Sequence, residues 1–296
     1  MRRSDTTVYF TFVSRILATD KPWASATSLY IARAIERITC GSELSILDMG
    51  CGQGRMMSLL MDYGHLLHGF DLPDKAEALA AHLRPLFGNR FDDHVRLMED
   101  ERRIPFESSR FDVVYANQVF EHVRFLDQMF EECTRVLKPE GTLITLFPLA
   151  TYPLEGHVLV PCAHWIPPGA MRRAYLRAFL TMRIGRRLPS MSTAESAREW
   201  DERLRLFTFY RFMNELEALF TYYFEEWMID TGTYIDAKID MLQESPSRLR
   251  RAAGRVLSSA NGPLLANLIT YGFNAVFVAR RPIPARRRHP VVEWRH

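Results

Sequence analysis

Three glycines stand at every second position in the stretch LDMGCGQGR, Gly50, Gly52 and Gly54, two residues behind Asp48. Glycine loses more conformational freedom on folding than any other residue, so three this close together mark backbone that must turn sharply or let something lie against it. The stretch leaves a β-rich run, LSILDMG, and opens a helical one, QGRMMSLLMDYG. Bare N–H groups and a helix N-terminus then sit at the carboxyl end of a strand, where open α/β sheets bind ligands. The next β-rich run ends at Asp71, whose carboxylate can accept hydrogen bonds from both hydroxyls of a ribose. The spacing G-x-G-x-G is not the G-x-G-x-x-G of a dinucleotide site, and it excludes the G-x-x-x-x-G-K-[ST] loop of a triphosphate site.

A second group of chemistry-bearing residues follows Pro148, in YPLEGHVLVPCAHWIPPGAMRR. It supplies Glu155, His157, His164 and Trp165. A histidine with a near-neutral pKa can take the proton of a hydroxyl nucleophile, so His157 or His164 is a candidate general base and Trp165 a wall of an acceptor pocket. The alternative is a lid whose histidines bond to backbone and whose tryptophan is core. Glu155, His157 and His164 are metal-ligand types, but their spacing matches no recognised site and no metal is expected.

These residues need elements to position them. From about Leu44, short β-rich runs alternate with amphipathic helices: HLLHGFDL, HVRLMED, RFDVVYAN and GTLITLFP read as strands two to five. DKAEALAAHLRPLFG reads as a helix ending at Gly88. VFEHVRFLDQMFEECTRVL keeps apolar residues at 119, 123, 126, 130, 133 and 137, one helix face. The alternation implies a mainly parallel sheet covered on both faces. After Pro148 the rhythm breaks into a structured Pro-rich loop and a basic helix over 171–187. A helix over FTFYRFMNELEALFTYY, a strand over FEEWMIDTGTY, helical sequence over 240–270 and a last strand, GFNAVFVAR, follow. The aromatic cluster from Phe207 to Trp227 reads as core, and the Pro- and Arg-rich end as mobile.

At this point the chain resembles class I S-adenosylmethionine-dependent methyltransferases, of the type 11-like group. ILDMGCGQGR is similar to their first motif and GFDL to their second-strand end. EDERRIPFESSRFDVVYANQVFEHV is similar to the segment from their third strand through the fourth. RVLKPEGTLIT is similar to the approach to their fifth strand, with Glu140 in place of a more usual glycine. The resemblance covers residues 44–148. It implies an α/β, doubly wound, mainly parallel seven-stranded sheet with a substrate-side insertion after the fifth strand. It also implies S-adenosylmethionine as cofactor. Asp48 would help hold the cofactor's amino group, Asp71 would bind the ribose and Asp100 would meet the adenine. Gly50, Cys51, Gly52, Gly54, Leu72, Glu101, Asn117 and Gln118 would line the site. Bounds follow: 1–43 an N-terminal helical segment, 44–148 the cofactor core, 149–205 a lid, 206–281 completion of the sheet, 282–296 a basic tail.

The fourth strand ends YANQV rather than in the Asn/Asp-Pro-Pro-Tyr/Phe of base-amine methyltransferases, which counts against a nucleic-acid substrate. A small-molecule acceptor is expected instead, most simply a hydroxyl of a sugar, glycolipid or secondary metabolite. A non-catalytic cofactor-binding protein and an RNA or protein methyltransferase are the rival readings. Bulk properties agree with an ordinary globular chain: 296 residues, 47% hydrophobic, 25% charged. Residues 1–170 carry 17 basic and 22 acidic side chains, net −5, and residues 171–296 carry 21 and 13, net +8. The excess is nearly all arginine, around Arg172, Arg173, Arg177, Arg183, Arg186 and Arg187. It suits a solvated face, an anionic or lipid-linked acceptor, or peripheral contact with a membrane surface. Cys40, Cys51, Cys133 and Cys162 form no C-x-x-C pair, and neither a signal peptide nor a spanning segment is read, so a cytoplasmic setting is expected.

Overall fold

The computed structural model describes residues 25–39, 42–245, 247–259 and 274–288. Nine strands occur in chain order among them: β1 (Ser45–Met49), β2 (Leu66–Asp71), β3 (Val95–Leu97), β4 (Phe111–Asn117), β5 (Leu137–Pro148), β6 (Leu154–Glu155), β7 (Val160–Pro161), β8 (Phe224–Ile229) and β9 (Asn274–Pro282). Seven form one sheet in the order β3-β2-β1-β4-β5-β9-β8, and β6 and β7 make a separate hairpin. The pairs among β1 to β5 are parallel, while β9 runs antiparallel to both β5 and β8. The doubly wound, mainly parallel sheet is thus present, with its winding reversing between β1 and β4. That reversal is where such sheets open a crevice at their carboxyl edge.

Successive strand residues point to opposite faces, and the core divides accordingly. Leu47, Met49, Val114, Ala116, Leu143 and Phe277 join one apolar layer with the helices Leu126–Val136 and Met213–Tyr223. Ile46, Val113, Tyr115, Ile144, Leu146 and Val276 join the other with the helices Ala26–Thr39, Arg55–Leu60, Ala76–Phe87 and Thr231–Gln243. The segment after β5 encloses a third, smaller cluster. Val158, Val160, Ala163, Leu176, Leu180, Ala197, Trp200 and Leu204 pack there between the hairpin and the helices Ala170–Thr181 and Thr193–Phe207.

Several elements differ from the sequence expectation. The helix expected from Val119 begins at Leu126, because residues 120–122 form a separate 3-10 turn. KPEG is not a turn before β5 but an excursion inside it: Leu137 pairs with Phe111, and pairing resumes at Thr142 with Val113. The basic helix stops at Thr181, since Arg183 takes φ 60° and Gly185 φ 100°, so Arg183, Arg186 and Arg187 lie beyond it. The helix Thr193–Phe207 was not expected, although Ser192 and Glu195 form a reciprocal capping box that the S-x-x-E spacing encodes. β8 ends at Ile229, and Asp230 gathers Tyr30, Arg37 and Thr233 before the next helix. The basic end is held as far as Arg288, which donates to Ile283, Thr134 and Glu131 and covers the Tyr223 ring. The expectations for residues 1–24, Cys40, 260–270 and 289–296 lie outside the described residues. Cys51, Cys133 and Cys162 are free thiols.

Candidate functional site

All three loop glycines adopt left-handed backbone, with φ 66°, 53° and 65° at Gly50, Gly52 and Gly54. Their surroundings separate them. A Cβ on Gly50 would lie 2.7 Å from Val119 Cγ2, and one on Gly54 would lie 2.0 Å from Leu83 Cδ2. A Cβ on Gly52 would meet nothing within 4 Å. Two of the glycines therefore admit the protein's own packing, and Gly52 alone leaves open space. The Gly52 N–H donates to Asp71 Oδ2 at 2.6 Å, and the Leu72 N–H donates to Asp71 Oδ1 at 2.8 Å. Asp71 thereby ties the end of β2 to the loop after β1 and keeps lone pairs on both oxygens for a ligand.

Asp48 is buried on β1. Burial pushes its carboxyl up to about 8; the Tyr115 hydroxyl beside it opposes the rise and the charge of Asp71 adds to it. A cationic group brought to this place would restore the ionised form of Asp48. An ammonium on the ligand, a ribose at Asp71 and open space over Gly52 fit an aminoacyl nucleoside such as S-adenosylmethionine.

The other expected contacts lie around the same carboxyl edge. Cys51 is buried, and Leu72 is exposed. Asp100 accepts from the Arg102 N–H at 2.9 Å on an exposed turn, with Glu101 exposed beside it. Asn117 ends β4 and is exposed, and Gln118, at φ 57°, donates its N–H to the Leu146 carbonyl.

Glu155 and His157 form the centre of the second group. Glu155 is fully buried, and its carboxylate accepts from His157 Nδ1 at 2.7 Å, the Tyr210 hydroxyl at 2.6 Å, and the N–H groups of His157 and Val158 at 2.9 and 2.7 Å. Burial alone would raise the Glu155 carboxyl, but the bonds from His157, Tyr210 and Val158 outweigh it and hold it below its ordinary value. His157 Nε2 faces His122 Nε2 at 3.3 Å, and His122 Nδ1 lies 2.6 Å from the Phe207 carbonyl. Both Nδ1 atoms face acceptors and carry hydrogens, so the two Nε2 atoms meet as lone pairs unless one proton lies between them. Of the two, His157 is the more basic: its bond to Glu155 raises its pKa, while burial lowers that of His122.

His164 stands apart from that pair. Its Nε2 lies 3.2 Å from the Ala150 carbonyl, which also accepts from Trp165 Nε1 at 2.7 Å, and its ring leans on Tyr210. Trp165 is half exposed rather than core. Among the described residues no three His, Cys, Asp or Glu side chains converge as a metal site. His122, Tyr210 and Glu121 were not singled out as a set in the sequence. Glu121 is buried, pushed up to about 8 by that burial, with Oε2 lacking a partner among the described residues. The Glu-His doublet after the fourth strand was the available signal.

The two groups are neighbours through Val119. That side chain fills the space beside Gly50, and its carbonyl accepts the His122 N–H at 2.8 Å.

Comparisons with known proteins match the part of the chain that carries the glycine loop and Asp71. The family described as "Methyltransferase domain" matches residues 47–145. A sterol 4-C-methyltransferase of Caenorhabditis elegans is 34% identical over 112 residues, covering 37% of this chain and 32% of that protein. A ubiquinone biosynthesis O-methyltransferase of Bradyrhizobium is 34% identical over 112 residues, covering 38% and 43%. The matched region thus spans 32% and 43% of these relatives, less than half of either. Among solved structures, the PH0226 protein of Pyrococcus horikoshii aligns over 93% of this chain and 98% of its own, at 17% identity and TM-score 0.47. Residues 47–145 are a class I S-adenosylmethionine-dependent methyltransferase domain, and S-adenosylmethionine is the cofactor of that class.

Proposed function

We propose that the protein transfers the methyl group of S-adenosylmethionine to a hydroxyl of a small-molecule acceptor held between the glycine loop and the Glu155–His157–His122 cluster. One observation carries the reading: the loop position with open space above it, Gly52, stands at the same sheet edge as an oriented histidine pair, with Val119 touching both groups. Asp48, Gly52 and Asp71 bind the donor, and Cys51, Leu72, Asp100, Glu101, Asn117 and Gln118 line its surroundings. The donor, when bound, supplies an electrophilic methyl on a sulfonium, and the protein's task is chiefly to hold the nucleophile in line with it.

Glu155, locked by Tyr210, fixes the His157 tautomer so that Nε2 is the working nitrogen. Once the shared proton has left, that nitrogen accepts the acceptor's hydroxyl proton. His164, engaged with backbone, shapes the pocket with Trp165 rather than taking the proton. The names of the two relatives, a ubiquinone O-methyltransferase and a sterol C-methyltransferase, favour an apolar or lipid-like acceptor. The test is formation of S-adenosylhomocysteine across a panel of phenols, sterols, prenylated quinols and glycolipids. Turnover with a hydroxylated acceptor, lost in His157→Ala, is expected. Binding of S-adenosylhomocysteine without turnover on any acceptor would favour a non-catalytic binding protein.

A further inference from the structure

The lid carries a face that its own fold does not use. From Gly156 to Ala194 the chain has six arginines and no acidic residue. Arg172 and Arg173 are taken up by Asp201, the first through a buried pair at 2.6 Å. Among the described residues no ion pair reaches Arg177, Arg183, Arg186 or Arg187, and all four are exposed. Helix Ala170–Thr181 buries Arg172, Leu176 and Leu180 on one side. The opposite side presents Met171, Ala174 and Ala178, all exposed, and the stripe ends at Met182, just past the helix. This is the spacing of a single helical face. Met171 is 64% exposed, Met182 58%, Ile184 43% and Leu159 41%.

The tip is held rigidly. The Ile184 N–H donates to the Phe179 carbonyl at 2.9 Å and the Arg186 N–H to the Val158 carbonyl at 2.6 Å. A Cβ on Gly185 would lie 2.6 Å from Val160 Cγ2, so the turn is packed against the β6–β7 hairpin. Exposed methionine and isoleucine, interleaved with unpaired arginines and fixed in place, suit a layer that is apolar inside and anionic at its surface. The tip also adjoins the acceptor side: Val158 follows His157, and the charge of Arg186 is felt at His157.

We propose that Met171, Met182, Ile184 and Leu159, with Arg177, Arg183 and Arg187 around them, dock the lid on an anionic membrane surface. The histidine pair is thereby brought to acceptors resident in that layer. The surface stands on its own geometry; only the delivery of acceptors rests on the proposed methyl transfer. Among the described residues no helix is long and apolar enough to cross a membrane, so the contact is peripheral.

Vesicle co-sedimentation tests it, using full-length protein with phosphatidylcholine vesicles and with vesicles containing phosphatidylglycerol. Binding is expected to the anionic vesicles only and to weaken as salt rises. Arg177→Gln/Arg183→Gln/Arg187→Gln should weaken it about 100-fold, at about 1 kcal/mol for each charge near the surface. Met182→Ser/Ile184→Ser should weaken it at unchanged charge. Titration with S-adenosylhomocysteine checks that each variant is folded, and it separates failure of this surface from failure of the donor site. Absence of binding to anionic vesicles at low salt would overturn the proposal. So would loss on arginine removal with no effect of Met182→Ser/Ile184→Ser and equal binding to a short single-stranded RNA, which would mark a polyanion site.

Discussion

Gly52→Ala and Gly54→Ala look alike in sequence, yet the structure assigns them opposite consequences. Both positions have positive φ, so an alanine at either costs about 1–2 kcal/mol of backbone strain. At Gly54 the new methyl would also fall 2.0 to 2.7 Å from Leu83 Cδ2, Cγ and Cδ1, on a side chain with no exposure to solvent. Overpacking of that kind adds about 1–3 kcal/mol. Gly54→Ala should then lose about 2–5 kcal/mol, a fall in Tm of roughly 3–8 °C at this chain length. Gly52→Ala should lose only the strain, because nothing stands within 4 Å of its Cβ. On the proposed reading that open space takes the donor, so Gly52→Ala should weaken S-adenosylhomocysteine binding by about 10- to 100-fold, the same overpacking energy felt by the ligand. Urea denaturation and calorimetric titration of both variants read the two quantities separately. Equal stability loss in the two, or near-native affinity in Gly52→Ala, would refute the division between packing and ligand glycines.

Other consequences are equally direct. On the proposed reading the donor's ammonium meets an ionised Asp48, whose free carboxyl is held up to about 8. Affinity should therefore climb about tenfold per pH unit up to pH 8 and level off above it. At pH 7 binding should also release close to one proton, seen as a dependence of the binding heat on buffer ionisation. The hydrogen bond to Glu155 raises His157, and a base acts only when deprotonated, so the rising limb of kcat against pH should lie above pH 6.5. Glu155→Gln should shift that limb downward and lower kcat with little change in cofactor Kd. His157→Ala should cost about 10²- to 10⁴-fold in kcat. Asp201→Ala leaves the buried Arg172 guanidinium unpaired between the lid helices and should cost about 3–5 kcal/mol in denaturant unfolding.

The alternating β-rich and amphipathic runs carried the parallel sheet and its two covered faces, because helices must follow each strand there; the doubly wound topology followed from the family resemblance. What escaped was set by contacts distant in the chain. The Leu126 helix start depends on a 3-10 turn whose His122 bonds to Phe207, 85 residues away. Ser192 and Glu195 were a local signal that went unread. The donor residues were legible as a motif, but the reason for each glycine was not, since Leu83 and Val119 come from other elements. His157 was legible as a histidine in a lid. Its orientation was not, because Tyr210 and His122 reach it from 53 and 35 residues away.

The central claim is that the loop between β1 and the Arg55–Leu60 helix, tied to Asp71, binds S-adenosylmethionine. Calorimetric titration with S-adenosylmethionine, S-adenosylhomocysteine and NAD, on the native protein and on Asp71→Ala, tests it most directly. The account predicts one site for each sulfur compound, none for NAD, and loss of both in Asp71→Ala. No binding of either sulfur compound to a folded native protein, or affinity unchanged by Asp71→Ala, would contradict it.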